Sequence, residues 1–236
     1  PKPLLHGLNF VAGGRGRSDT VRAAVTIPDD SSGIAGYSYR WTRSLSDPVP
    51  QTIQRLPNNN RIELSADDDG PWYLGVRVVD YAGNWSEPQY ISYVRDTKPP
   101  VTPLFSEFDT DSSGYLSSNT FTAQWEPAEP DAIAGYTWSL EYLASPGELA
   151  AIARDEFPAA TENGKPVPAR LDLDSVVSGR FAVSRPRPEI RTTQNEVSFT
   201  NRDNGLYALS VSAIDSVGNI SEPAVRYIVM NKYIPY

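Results

Sequence analysis

Apolar and polar residues alternate along most of the chain. Val21, Ala23, Val25 and Ile27 recur at every second position, the period of a strand covered on one face. After the break at Pro28-Asp29-Asp30-Ser31-Ser32-Gly33, residues Tyr37, Tyr39 and Trp41 take one face and Ser38, Arg40 and Thr42 the other. Three aromatics on one face predict much of a core wall. Ile62 and Leu64 predict a shorter strand. The longest follows the turn Asp67-Asp68-Asp69-Gly70-Pro71, with Trp72, Leu74, Val76 and Val78 on one side and Tyr73, Gly75 and Arg77 on the other. Asp80 to Pro88 predicts a hairpin connection in which Gly83-Asn84 accepts positive φ at little cost. A last strand then runs through Tyr90, Ser92 and Val94 or their neighbours.

The same order returns in the second half. Ile34-Ala35-Gly36-Tyr37 reappears as Ile133-Ala134-Gly135-Tyr136, and Asp80-Tyr81-Ala82-Gly83-Asn84-Trp85-Ser86-Glu87-Pro88 as Asp215-Ser216-Val217-Gly218-Asn219-Ile220-Ser221-Glu222-Pro223. The offsets are 99 and 135 positions, so one module is present twice and the second copy carries about 36 additional residues. Its predicted apolar faces are Phe121, Ala123 and Trp125; Tyr136, Trp138, Leu140 and Tyr142; Val197 and Phe199; Tyr207, Leu209, Val211 and Ala213; and Val225, Tyr227 and Val229. The insertion lies at about 144–194. Ser145-Pro146-Gly147-Glu148 predicts a capping box with Pro at the first helical position, opening a short helix around Glu148 to Phe157. Beyond it, Glu162 to Pro166 reads as a turn, Arg170 to Val177 as amphiphilic, and Arg185-Pro186-Arg187-Pro188 as extended. A connection of this length is either a small packed subdomain or a binding loop. Asp96-Thr97-Lys98-Pro99-Pro100 closes the first copy, and its paired prolines predict a short, stiff spacer between modules 1–98 and 101–236.

Composition narrows the class. With 39% hydrophobic and 11% aromatic residues, 21 Pro and 16 Gly in 236 positions, the chain reads as all-β, with many short strands joined by turns. No run of apolar residues is long enough to span a membrane, and no signal-peptide pattern opens the chain. A net charge of −8 argues against nucleic acid and anionic membrane as partners, because phosphate neutralisation needs clustered cations. The absence of Cys rules out thiol catalysis, thiolate metal sites and disulfides. With His6 as the single histidine, a Ser-His-Asp triad or a multi-histidine metal site has no basis. Asp67, Asp68 and Asp69 are the densest carboxylates, and their place before Gly70-Pro71 favours a solvated turn over a hydrolytic pair. The chain reads as not an enzyme and as needing no cofactor.

The succession Gly36-Tyr37-Ser38-Tyr39-Arg40-Trp41, then Asp69 to Pro88, then a strand ending in Asp-Thr-Lys-Pro-Pro resembles the fibronectin type III-like and immunoglobulin-like modules of large bacterial extracytoplasmic proteins. Gly135 to Leu143 and Asn204 to Pro223 resemble the same module. The resemblance covers both halves apart from the insertion and about the first 15 residues. It implies two tandem Greek-key β-sandwiches, the second with the insertion, and a non-catalytic structural or protein-interaction segment of a larger cell-envelope or surface protein, periplasmic or exposed, with other protein domains as partners. The alternative it leaves open is a ligand-binding module, for glycan or as a sensor, that uses exposed aromatics.

Four features are candidate sites. Asp109, Asp111 and Ser113 match the early part of a calcium loop, but Thr120 stands where a bidentate Glu is needed, so a plain turn is favoured. Asn84-Trp85-Ser86 and Asn219-Ile220-Ser221 fit the glycosylation pattern, although the shared turn position explains Asn more simply. Trp85, at a loop tip, is either a cap on the sandwich end or an anchor for a partner, and with Tyr73, Tyr81 and Tyr93 it suggests a sugar-stacking surface. Arg170, Arg180, Arg185, Arg187 and Arg191 concentrate positive charge in an acidic chain, an electrostatic address for an acidic protein surface.

Overall fold

The computed structural model describes residues 1–106, 108, 116–129, 133–149, 151, 161–162, 165–166 and 190–230. The chain divides into two compact units, Pro1–Lys98 and Pro99–Tyr236. In the first, β1 (Leu4–Gly7), β3 (Thr20–Thr26) and β5 (Arg61–Ser65) form a three-stranded sheet in the order β1-β3-β5. The second sheet runs β2-β7-β6-β4, from Arg15–Gly16, Gln89–Arg95, Gly70–Asp80 and Ile34–Thr42. All pairings are antiparallel except that of β2 with β7. Because the chain passes from β3 to β4 and back to β5, successive strands belong to opposite sheets, which is the sandwich crossover.

Alternation puts the predicted faces together. Val21, Ala23 and Val25 from β3, Ile62 and Leu64 from β5, Tyr37 from β4, and Leu74, Val76 and Val78 from β6 form one buried cluster. Tyr39, Trp41, Trp72 and Ile27 pack against its margin, partly buried. On β7 the core residues are Tyr93, 1% exposed, and half-buried Ile91. Burial of four or five large side chains per sheet, at about 1.5–3 kcal/mol each, is what offsets the ordering of so many short strands.

The second unit repeats this plan. β8 (Leu104–Phe105), β9 (Phe121–Glu126) and β14 (Glu196–Phe199) make the three-stranded sheet, and the four-stranded one runs β13-β10-β15-β16 from Ile190–Thr192, Ile133–Ala144, Gly205–Asp215 and Ala224–Met230. A bridge from Leu116 to Met230 is parallel, as β2–β7 is in the first unit. Within the insertion, β11 (Thr161–Glu162) and β12 (Lys165–Pro166) pair as a minimal hairpin around the predicted turn. Residues 146–149 and 151 are helical. The capping box forms: the Ser145 N–H and Oγ both donate to Glu148 Oε2 at 2.7 Å, and the Glu148 N–H donates back to Ser145 Oγ. These bonds hold the Glu148 carboxyl below its ordinary 4.5. Residues 152–157 of the expected helix lie outside the described residues.

One predicted face is corrected. On β16 it is Ile228 and Met230 that enter the main core, while Val225 is exposed and Tyr227 and Val229 turn to the other side. There Val229 joins Ala144 and Leu206 in a second small cluster flanked by Leu143 and Leu149. The first helical turn of the insertion thus covers the back of the sheet locally, and β16 is apolar on both faces, so its periodicity does not reveal its register.

Candidate interaction surfaces

Most polar residues that recur between the copies are consumed in building the fold. Asp80 Oδ1 accepts from the Asn84 N–H at 2.8 Å and Oδ2 from Asn84 Nδ2 at 2.9 Å. Asp215 repeats this with Asn219, both at 2.8 Å, and also accepts from the Val217 N–H. The Asn side chain is therefore a partner of the Asp rather than the residue of left-handed backbone; Gly83 and Gly218 take that role at φ 88° and 89°. Two bonds from Asn84 hold the Asp80 carboxyl below its usual 3.8. Ser86 and Ser221 close each turn: their Oγ atoms accept from the N–H of Val78 and Ala213 and donate to the carbonyls of Glu87 and Glu222. Because both Asn side chains are committed to these turns, the turn reading accounts for the two glycosylation patterns.

Gly36 and Gly135 have a different reason to recur. Each sits at a β-bulge in the pairing of β4 with β6 or of β10 with β15. There the next segment crosses the sheet edge so closely that a Cβ would lie 2.8 Å from the Arg55 carbonyl in one copy and 2.9 Å from that of Thr192 in the other.

Trp85 is half-buried and lies under the Arg77 guanidinium, 5.7 Å from the ring centroid. Arg77 is itself fixed by donation from Nε and Nη2 to the Ser86 carbonyl. Of the proposed sugar-stacking set, Tyr93 is wrong: its ring is in the core, edge-on to Phe10, with its Oη donating to the Ser18 carbonyl, and burial raises its pKa. Tyr73 is half-buried, and Tyr81, 75% exposed, leans on Gly33. Tyr90 and Val49 instead lie across the outer face of the sheet, where Gly75 leaves them room.

The acidic run is a turn that clamps the end of the first unit. Asp69 accepts from the Thr97 N–H and Oγ1 and from Arg95, which together hold its carboxyl below 3.8, the Thr97 bonds contributing most. The carbonyl of Asp68 accepts from Trp72 Nε1, leaving Trp72 stacked between Trp41 (5.3 Å, 11°) and Arg43 (5.1 Å). His6 is exposed on β1. Asp109, Asp111, Ser113, Arg170, Arg180, Arg185 and Arg187 lie outside the described residues.

Arg191 is the member of the arginine set that the structure places, and it stands at a cleft. The cleft encloses about 750 Å³ at one end of the second sandwich, between β13 and the Asp215 turn, with Gly135, Thr192, Thr193, Ser216 and Val217 in its wall. Arg191 is exposed and has no ion pair among the described residues. The Asp215 carboxylate in the same wall is engaged by three donors. In the first unit Ile53 Cγ2 lies 2.6 Å from where a Gly36 Cβ would be, and Tyr81 occupies the position that Ser216 holds in the second copy. No periodicity signals such a cleft.

Comparison with solved structures returns the fibronectin(III)-like modules of CbhA from Clostridium thermocellum, 12% identical over 97% of this chain and 94% of that one, TM-score 0.41. It also returns a two-domain fibronectin type III segment of chicken tenascin, 12% identical over 97% and 99%, TM-score 0.33. No family model matches the chain, and no curated protein matches its sequence. The strand order already given, three strands against four with the crossover between β3, β4 and β5, stands apart from these scores. Both units are β-sandwiches with this strand order, the fold class of fibronectin type III and immunoglobulin-like modules. No helix among the described residues is long and apolar enough to cross a membrane.

Proposed function

We propose that this tandem is a non-catalytic structural and interaction segment of a larger extracytoplasmic protein of the cell envelope or surface, whose partners are other protein domains. The observation that carries the reading is the division of labour between the copies. What they share, the Asp-Asn-Ser turns and the bulge glycines, is spent on the fold, while on the surface the copies differ at the sheet edge and by the insertion. A duplicated scaffold with one diversified edge is what a spacer that also carries a docking surface requires. The resemblance of the repeated motifs to modules of bacterial extracytoplasmic proteins supports the setting.

The test is an exchange. Within the parent protein this tandem is replaced by an unrelated tandem of sandwich modules of equal length, and assembly of the parent with its envelope partners is measured. Loss of assembly is expected. Unimpaired assembly would overturn the interaction role, and turnover of a polysaccharide or peptide substrate by the isolated chain would overturn the non-catalytic reading.

A further inference from the structure

We infer that the outer edge of β5 pairs with the same strand of a second copy of this chain, in an antiparallel register centred on Ile62 that sets Arg61 of each copy opposite Glu63 of the other. This goes beyond the interaction reading above, since it concerns a contact of the chain with itself. The argument begins with backbone direction. The Asn60 carbonyl accepts from the Val25 N–H, and the Ala66 N–H donates to the Asp19 carbonyl. Successive residues of a strand point their N–H and C=O groups to opposite sides. Residues 60, 62, 64 and 66 therefore turn these groups toward β3, and Arg61, Glu63 and Ser65 turn theirs away from it. On that side β5 ends its sheet, in a unit whose residues are all described.

An unpaired edge is a template for strand addition. That of β4 is capped by a side chain: Gln54 Oε1 accepts from the Tyr39 N–H at 2.7 Å and from Ser38 Oγ at 3.2 Å. On β5 the closure is partial. The Ser65 carbonyl accepts from Trp41 Nε1 at 2.7 Å, whereas the backbone groups of Arg61 and Glu63 have no hydrogen-bond partner among the described residues. A two-fold axis through Ile62, which stands between them, satisfies both: each Arg61 exchanges a pair of N–H···O=C bonds with the partner's Glu63. Centring on Arg61 or on Glu63 instead sets like charges opposite each other, and the second choice also needs the Ser65 carbonyl that Trp41 holds.

Charge selects the occupant. Ile62 and Leu64 enter the core, so Arg61 and Glu63 share the exposed face of the sheet. Glu63 accepts from Arg22 Nε at 2.8 Å, and Arg61 has no ion pair among the described residues. In the Ile62 register each Glu63 carboxylate, whose oxygens accept several donors, lies between its own Arg22 and the partner's Arg61, a favourable cross-strand pair made twice by symmetry. The corresponding edge of the second unit does not substitute. There the Trp125 N–H donates to the Asn195 carbonyl, so Glu196 and Ser198 are the outward residues of β14. Joined to β5 in the same register, β14 would set Glu196 opposite Glu63, and two copies of β14 would pair Glu196 with a neutral serine.

The experiment is analytical ultracentrifugation of the full chain from about 10 μM to about 1 mM, since a contact this small associates weakly. The chain is expected to dimerise reversibly within that range, with concentration-dependent amide shifts centred on Arg61 to Glu63. Arg61→Glu and Glu63→Arg should each weaken dimerisation about tenfold or more, because both attractive pairs become repulsive. An equimolar mixture of the two variants should regain it, since opposite charges again face each other across the axis. Both side chains are exposed, so neither substitution should lower the thermal midpoint of the monomer appreciably. A chain that stays monomeric at about 1 mM, single variants that dimerise as the unaltered chain does, or a mixture that remains monomeric would overturn the proposal. Each of these failures leaves the exchange experiment to decide the role with other protein domains by itself.

Discussion

The three-stranded sheets of the two sandwiches differ: that of the first contributes no aromatic residue to its core, and that of the second contributes Phe121, Trp125 and Phe199. In the first unit the three-stranded sheet contributes Val21, Val25 and Leu64, and the facing sheet supplies the Trp41–Trp72 stack. In the second, Phe121, Trp125 and Phe199 occupy the corresponding positions of the three-stranded sheet, with Phe121 and Phe199 stacked at 4.8 Å and Trp125 edge-on to Tyr136 at 5.6 Å. A core of near-constant volume can be filled from either wall, so the duplicated strand pattern survives while the residues that satisfy it do not. The same tolerance stops at backbone contacts. Both copies keep glycine at the bulge, because there the neighbour is a carbonyl that has nowhere to go.

The sharpest way to break this comparison is Trp125→Ala, expected to cost about 3–5 kcal/mol in urea denaturation, against about 1.5–3 kcal/mol for Val25→Ala at the matching position. Trp125 is 0% exposed, and its Nε1 has no hydrogen-bond partner. Trp125→Phe removes that orphan donor along with part of the ring, so it should cost markedly less than area alone suggests. Equal losses for Trp125→Ala and Val25→Ala would show that the aromatic wall of the second unit is not where its stability resides.

The next prediction concerns the bulge. Gly36→Ala drives a methyl against Ile53 Cγ2 at 2.6 Å and the Arg55 carbonyl at 2.8 Å, whereas Gly135→Ala meets only the Thr192 carbonyl at 2.9 Å. Costs of about 1–3 kcal/mol are expected for both, the larger in the first unit. A neutral Gly36→Ala would mean that the edge segment is free to move outward, and that the bulge glycine is not held by its carbonyl neighbour.

Strands, turns and the duplication were legible because each rests on local rules: period two, left-handed glycine, and Asp reaching its Asn four residues on. The register of β16 was not, since Val225, Tyr227 and Val229 alternate with Arg226, Ile228 and Met230, and a second cluster formed with Leu206 and Ala144 covers the other face. Tyr93 was misread for a similar reason, as Tyr90 and Tyr93 offer the two faces of β7 comparable rings. Arg191 was visible as charge, but the cleft beside it lies where three strand ends meet, and no local pattern announces such a meeting. A side chain that fills space leaves a letter in the sequence, and an empty space leaves none.

A smaller effect should follow from the edge cap itself. Gln54→Ala leaves the Tyr39 N–H and Ser38 Oγ without their partner, at about 1 kcal/mol for bonds near solvent. Urea denaturation of the full chain checks it, and an unchanged midpoint would show that water replaces the Gln54 bonds at no cost.

The smallest expected effect is on pH dependence, and it too differs between the units. Asp69 and Asp80 in the first unit have carboxyls held below the ordinary 3.8 by bonds from Thr97 and Asn84, and in the second Glu148 is held below 4.5 by Ser145. Each is depressed in the folded state, so the unfolded chain binds protons first as pH falls. The stability these groups lend is complete above the unfolded values and is lost on acidification through the folded ones. Asp69 and Glu148 are exposed and Asp80 is half-buried at a turn, so solvent screening keeps each contribution small. Between about pH 5 and pH 3 the thermal midpoint of the full chain should therefore fall, and Asp69→Asn with Asp80→Asn should flatten that slope more than Glu148→Gln does. An unchanged slope in the double variant would show that the carboxylates of these turns add nothing beyond what neutral amides supply.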